Sequence, residues 1–143
     1  MLPNQLSPHF SLQEMTRTDT GLPNVPTLEQ GICLVRLCDQ ILEPMRELCG
    51  ALHINSAFRS QAVNIKVGGA RTSQHMLGQA ADVVPAMGLQ MAFVFVKAST
   101  IPFDQLILEP SWIHISCAPL GVTPRRQCLR AELTDQGMVY EAA

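Results

Sequence analysis

The sequence predicts an α+β domain in which a small antiparallel sheet is flanked by helices, and three observations predict it. A long apolar stripe at helical spacing occupies positions 28–49. A second, shorter helical stretch covers 89–98. Much of the remainder falls into short runs, several bounded by Pro or Gly, that read as strands. At 143 residues the chain is expected to form one domain, 1–143, with a substantial core and no room for a second sizeable module.

Ser11 and Glu14 form a capping-box pair, with Phe10 placed to staple onto Met15, so a short helix is expected from about Leu12 to Thr16. Gly21 to Pro26 is loop, broken by Pro23 and Pro26. From Thr27 onward, Leu28, Ile32, Val35, Cys38, Leu42, Met45 and Cys49 recur at three- and four-residue steps and make one apolar stripe. Pro44 should bend or break that helix near Ile41 to Glu43, and Gly50 should end it. Leu52 to Phe58 alternates as a strand and delivers Arg59 at its carboxyl end, while Ser60 can cap a helical turn through Gln61 to Lys66.

Ala80 to Val84 reads as a strand stopped by Pro85. Leu89 to Ala98 reads as a helix buried on one side, although Val94, Phe95 and Val96 favour a strand by propensity. Phe103 to Glu109 and Trp112 to Cys117 read as two strands around Pro110 and Ser111. A third follows near Arg126 to Glu132, and a last short one at Gly137 to Tyr140. A tight connection at Pro110 and Ser111 sets Glu109 against Trp112 and Ile107 against His114. The side chains of Glu109 and His114 then share a face, diagonal to one another. Pro-Ser does not favour the primed two-residue turns, so a longer loop is the alternative.

Hydrophobic residues make up 47% of the chain and charged ones 15%, with a net charge of -2, so no surface for nucleic acid or anionic membrane is expected. The first ten residues lack a basic start and a continuous apolar run, and no stretch reaches the length of a membrane span. Synthesis in the cytosol without a signal peptide, and no membrane insertion, are the expectations. Five cysteines without close pairs fit reduced thiols, with Cys33, Cys38 and Cys49 lining the core; the absence of a Cys-x-x-Cys pair disfavours a thiol redox protein.

Two segments concentrate the chemistry: Ser73 to Asp82, and Trp112 to Ser116 about thirty residues on. They hold His75, Asp82 and His114 in a chain with four histidines. Two imidazoles and a carboxylate make a three-ligand metal site with one open position, the pattern of catalytic zinc. Read from spacing alone, three unrelated polar residues serve equally well. His53, at a strand start away from these segments, reads as a surface or hydrogen-bonding residue.

The pattern Ser73-x-His75-x-x-Gly78-x-Ala80-x-Asp82, followed by Trp112-x-His114, resembles the M15 family of zinc peptidases, the D-Ala-D-Ala carboxypeptidase and peptidoglycan endopeptidase group. Ser56-Ala57-Phe58-Arg59-Ser60 resembles that family's Ser-Gly-Tyr-Arg-Ser segment. The resemblance implies a Hedgehog/DD-peptidase-like fold and Zn2+ held by His75, Asp82 and His114. It implies Glu109 as general base, since the family's catalytic glutamate precedes the last histidine by a few residues. It also implies Arg59 as a catalytic and substrate-binding cation and Ser73 as a substrate-binding hydroxyl. Trp112 can line the cleft or pack under His114, and packing is the commoner role. Ala57-Phe58 departs from the family's Gly-Tyr, so any contact of that tyrosine hydroxyl is missing.

The function implied is zinc-dependent hydrolysis of peptide bonds in peptidoglycan by a monomer resembling compact phage-type lytic enzymes, released by a holin or carried in a virion. An endopeptidase on crosslinks or stem peptides is favoured by the short loops at 68–72 and 119–124. A D-Ala-D-Ala carboxypeptidase and a non-enzymatic zinc-binding virion or assembly protein are the alternatives.

Overall fold

A computed structural model describes residues 2–143. A two-stranded ribbon, β1 (Gln5–Ser7) and β2 (Phe10–Ser11), leads into a one-turn helix, α1 (Leu12–Met15). Ser11 caps that turn through its hydroxyl on the Glu14 amide, and Phe10 and Met15 are both buried. The ribbon was not legible in the sequence. It is tied down by Glu43, whose carboxylate accepts from the Ser7 hydroxyl and the His9 amide.

The long helical stripe forms α2 (Leu28–Leu37), a π turn (Cys38–Leu42) and α3 (Glu43–Cys49). Thr27 and Gln30 make a reciprocal capping box at its start. Pro44 neither breaks nor ends the helix. The π turn absorbs the missing donor, because the Glu43 amide reaches back to the Cys38 carbonyl and Pro44 falls in the first turn of α3, where no N–H is needed.

The expected stripe is corrected at its first turns: Leu28 and Ile32 are exposed, and the buried line runs through Gly31, Leu34, Leu37, Ile41 and Met45. Gly31 takes the inward position, with the end of the Leu2 side chain lying against it.

After β3 (Leu52–Ser56) and α4 (Gln61–Lys66) come a 3-10 turn (Gln74–Leu77), β4 (Ala80–Pro85), α5 (Leu89–Ala98), β5 (Phe103–Leu108), β6 (Ile113–Cys117), β7 (Gln127–Thr134) and β8 (Gly137–Ala142). The main sheet has six strands in the order β3-β4-β6-β5-β7-β8. The α+β architecture is as expected, but the main sheet is larger than the small one anticipated and mixed, since β7 runs parallel to β5. Alternation in a sequence reports which face a residue takes and is silent on strand direction.

Alternation decides what each face does. Ala81 and Val83 on β4, Ile113 and Ile115 on β6, and Leu106 and Leu108 on β5 enter the core with Leu34, Leu37, Met45, Phe93 and Val96 of the helices. Burying side chains of this size is worth roughly 1.5–3 kcal/mol each. Asp82, His114 and Ile107 therefore project from the opposite face.

Candidate active site

One row of paired residues crosses the sheet: Ser56 opposite Asp82, Asp82 opposite His114, and His114 opposite Ile107. Directly opposed residues share a face, so β3, β4, β6 and β5 each place one residue on the same line. The Glu109 amide donates to the Trp112 carbonyl, which continues the register and sets Glu109 on the His114 face, as the tight-connection reading expects. The sequence-derived strand alternation sufficed for this part of the site.

His75 arrives differently. Ser73 caps the 3-10 turn by accepting from the His75 amide (3.2 Å), and the turn closes on Gly78 in the left-handed region, φ 73°. A Cβ at Gly78 would stand less than 3.0 Å from the Gln30 carbonyl oxygen, so glycine here also admits the first turn of α2. Gln30 reaches the same loop through its side chain, which donates to the Met76 carbonyl. His75 is thereby turned inward and buried, with its ring 5.2 Å from that of His114.

The ligand atoms of His75, Asp82 and His114 lie within 4.8 Å of one another. His75 Nε2 is 3.2 Å and His114 Nδ1 2.9 Å from Asp82 Oδ1. Arg59 Nη2 is 3.2 Å from Asp82 Oδ2, and its Nε donates to the Ser56 hydroxyl. Burial alone would raise the Asp82 pKa. The hydrogen bond from His114 outweighs it and holds the carboxyl well below the usual range, so it is an anion.

The tautomer of His75 tests whether a cation fits. Its Nδ1 lies 2.7 Å from the Ala57 carbonyl, which can only accept, so the ring proton sits on Nδ1. Burial lowers the His75 pKa and favours the neutral ring. Nε2 then presents a lone pair to an anionic oxygen 3.2 Å away, a repulsive meeting unless a cation joins them. The donor set and the carbonyl holding the outer nitrogen of His75 are those of a metal site with an oriented histidine.

A cleft of about 600 Å³ opens over this cluster. Arg59, Ser73 and Glu109 line it, and so does Trp112, for which packing under His114 was the commoner expectation. Glu109 is buried and makes no ion pair among the described residues. Burial, and then the charge of Asp82, raise its pKa, which suits a proton acceptor working closer to neutral pH. Arg59 is heavily committed to protein partners, Asp82 and Ser56 above all. Gln105, Arg125 and Tyr140 also line the cleft and were missed. Gln105 was within reach of the sequence, being two strand steps of two from Glu109. Tyr140 was not, because its place depends on where β7 docks.

The fold and the site define a domain in which three side chains able to hold a metal ion, His75, Asp82 and His114, share a cleft with the Glu109 carboxylate. Residues 8–116 match the family model described as Peptidase M15, and the chain belongs to that family of metallopeptidases. No curated protein matches the chain. No helix among the described residues is long and apolar enough to cross a membrane.

Proposed function

We propose that this domain is a zinc-dependent endopeptidase acting on the crosslinks or stem peptides of peptidoglycan. The observation that carries the reading is the buried Glu109, outside any ion pair among the described residues, on the same sheet face as the His75–Asp82–His114 cluster. His75, Asp82 and His114 would hold the ion, which supplies Lewis acidity to a water and to the scissile carbonyl. Two nitrogen donors and one carboxylate suit zinc.

Glu109 takes the proton of the attacking water and returns it to the leaving amide nitrogen. Arg59, braced by Asp82 and Ser56, turns a fixed positive charge into the cleft towards the substrate's carbonyl or carboxylate oxygen. Ser73 and Trp112 border the same space and contact the peptide. The short segments 68–72 and 119–124 leave little material for a lid, which supports a cleft that admits chain on both sides of the cut bond. A monomer reaching the wall through a holin or from a virion completes the proposal.

Purified walls incubated with zinc-loaded protein should yield new amine termini, and Glu109→Ala should lower the rate by roughly 10²–10⁴-fold. Mass spectrometry should show split crosslinked dimers or released stem peptides. Loss of terminal D-alanine alone would establish the carboxypeptidase instead, and no new amines with the wild type would favour a zinc-binding virion or assembly protein.

A further inference from the structure

Tyr140 is the single tyrosine of the chain, and it stands on β8, beyond the residues that match the peptidase family. The sheet register brings it to the site. β5 and β7 pair in parallel with Leu108 beside Arg130, so one further step sets Glu109 level with Ala131. Ala131 is directly opposite Tyr140 across the β7–β8 pair. Glu109, Ala131 and Tyr140 thus form a row on one face, and the methyl of Ala131 leaves the tyrosine ring room to lie across β7. Neighbouring strands are about 4.8 Å apart, so a tyrosine and a glutamate reaching towards each other span two of those steps.

The outcome is a phenol oxygen 3.5 Å from Glu109 Oε1 in the lining of the cleft. That separation is at the far edge of hydrogen-bond range, so the hydroxyl proton is held loosely and can be redirected; catalytic hydrogen bonds are commonly long before substrate binds. The other titratable or charged side chains around the cleft are Asp82, His75, His114, Arg59 and Arg125.

We propose that Tyr140 is a further catalytic residue, whose hydroxyl pairs with Glu109 in the free protein and donates to the scissile carbonyl oxygen when peptide is bound. The inference rests on the hydrolytic reading of Glu109 given above. Its chemistry is complementary: once Glu109 has accepted the water's proton it is a poorer acceptor, and the phenol turns its hydrogen bond to the oxygen on which charge is developing. The phenol donates a hydrogen bond throughout and keeps its proton. The hairpin of β7 and β8 thereby becomes part of the working site.

Two measurements test this independently. Tyr140 alone gives the tyrosinate absorbance near 295 nm, and Glu109→Gln, which removes the neighbouring charge, should lower the midpoint of that titration; an unchanged midpoint overturns the pairing. Tyr140→Phe keeps the ring, which is 51% exposed, and should leave zinc content and thermal stability as they are. It should lower kcat roughly 10- to 100-fold with KM almost unchanged, somewhat less than the loss of a buried oxyanion-hole donor.

A Tyr140→Phe enzyme with wild-type kcat overturns the proposal and leaves the hydrolytic reading intact. A wild type that cleaves no wall peptide overturns the hydrolytic reading and the catalytic role together, and a titration shift would then support only the pairing.

Discussion

Replacing Gly78 with alanine should damage both the fold and the metal centre, by an amount the structure lets us divide in two. At φ 73° a residue with a Cβ pays roughly 1–2 kcal/mol for the left-handed conformation. The added Cβ would also stand under 3.0 Å from the Gln30 carbonyl oxygen, which is helix backbone and cannot rotate aside, and overpacking of that kind costs about 1–3 kcal/mol. The two together give about 2–5 kcal/mol, or a Tm lower by roughly 4–20 °C for a domain of this size.

Gly21 provides the control. It has φ 75° and nothing within 4 Å of where a Cβ would stand, so Gly21→Ala should lose only the conformational part, about 1–2 kcal/mol. Thermal unfolding of both variants, followed by circular dichroism without metal, reads the difference directly. Gly78 also separates His75 from Asp82 in the chain, so Gly78→Ala should retain less zinc after dialysis while Gly21→Ala retains the wild-type amount. Equal melting temperatures for the two variants would refute the claim that α2 presses on the ligand loop.

Zinc at a hundredfold excess over its Kd should stabilise the metal-stripped protein by about 2.7 kcal/mol, seen as a rise in Tm that a chelator reverses. Asp82→Asn should abolish most of that rise, and an equal rise in both proteins would remove Asp82 from the ligand set. Burial pushes the fully inaccessible Cys38 thiol up to about 12 from the ordinary 9.0. Since the folded state favours the protonated thiol, its stability is full below pH 9 and falls as pH rises towards 12, by up to about 1.4 kcal/mol per unit for this one group. Urea unfolding across that range should show a shallower alkaline decline in Cys38→Ala, and identical slopes would refute the assignment.

Local pattern carried much of this molecule. The spacing of apolar residues located the long helix, and Pro44 was correctly singled out, although its effect was a π turn within a continuing helix. Inward glycine at position 31 could not be read from an apolar stripe, because glycine has no side chain to register in one and the residue against it, Leu2, comes from a distant part of the chain.

Strand alternation placed Ile107, Glu109 and His114 on one face, and the pattern around His75 and Asp82 marked a loop and a strand that the structure brings together with His114. These features are local because a strand's side chains alternate whatever its neighbours are. What tertiary structure alone decided was which strands lie side by side. The pairing of β4 with β6 turned Asp82 and His114 into opposite residues, the Ala57 carbonyl selected the tautomer of His75, and the parallel docking of β7 on β5 carried Tyr140 to Glu109. Partner and direction depend on long-range burial and backbone hydrogen bonding between segments far apart in the chain, and no periodicity within one segment encodes them.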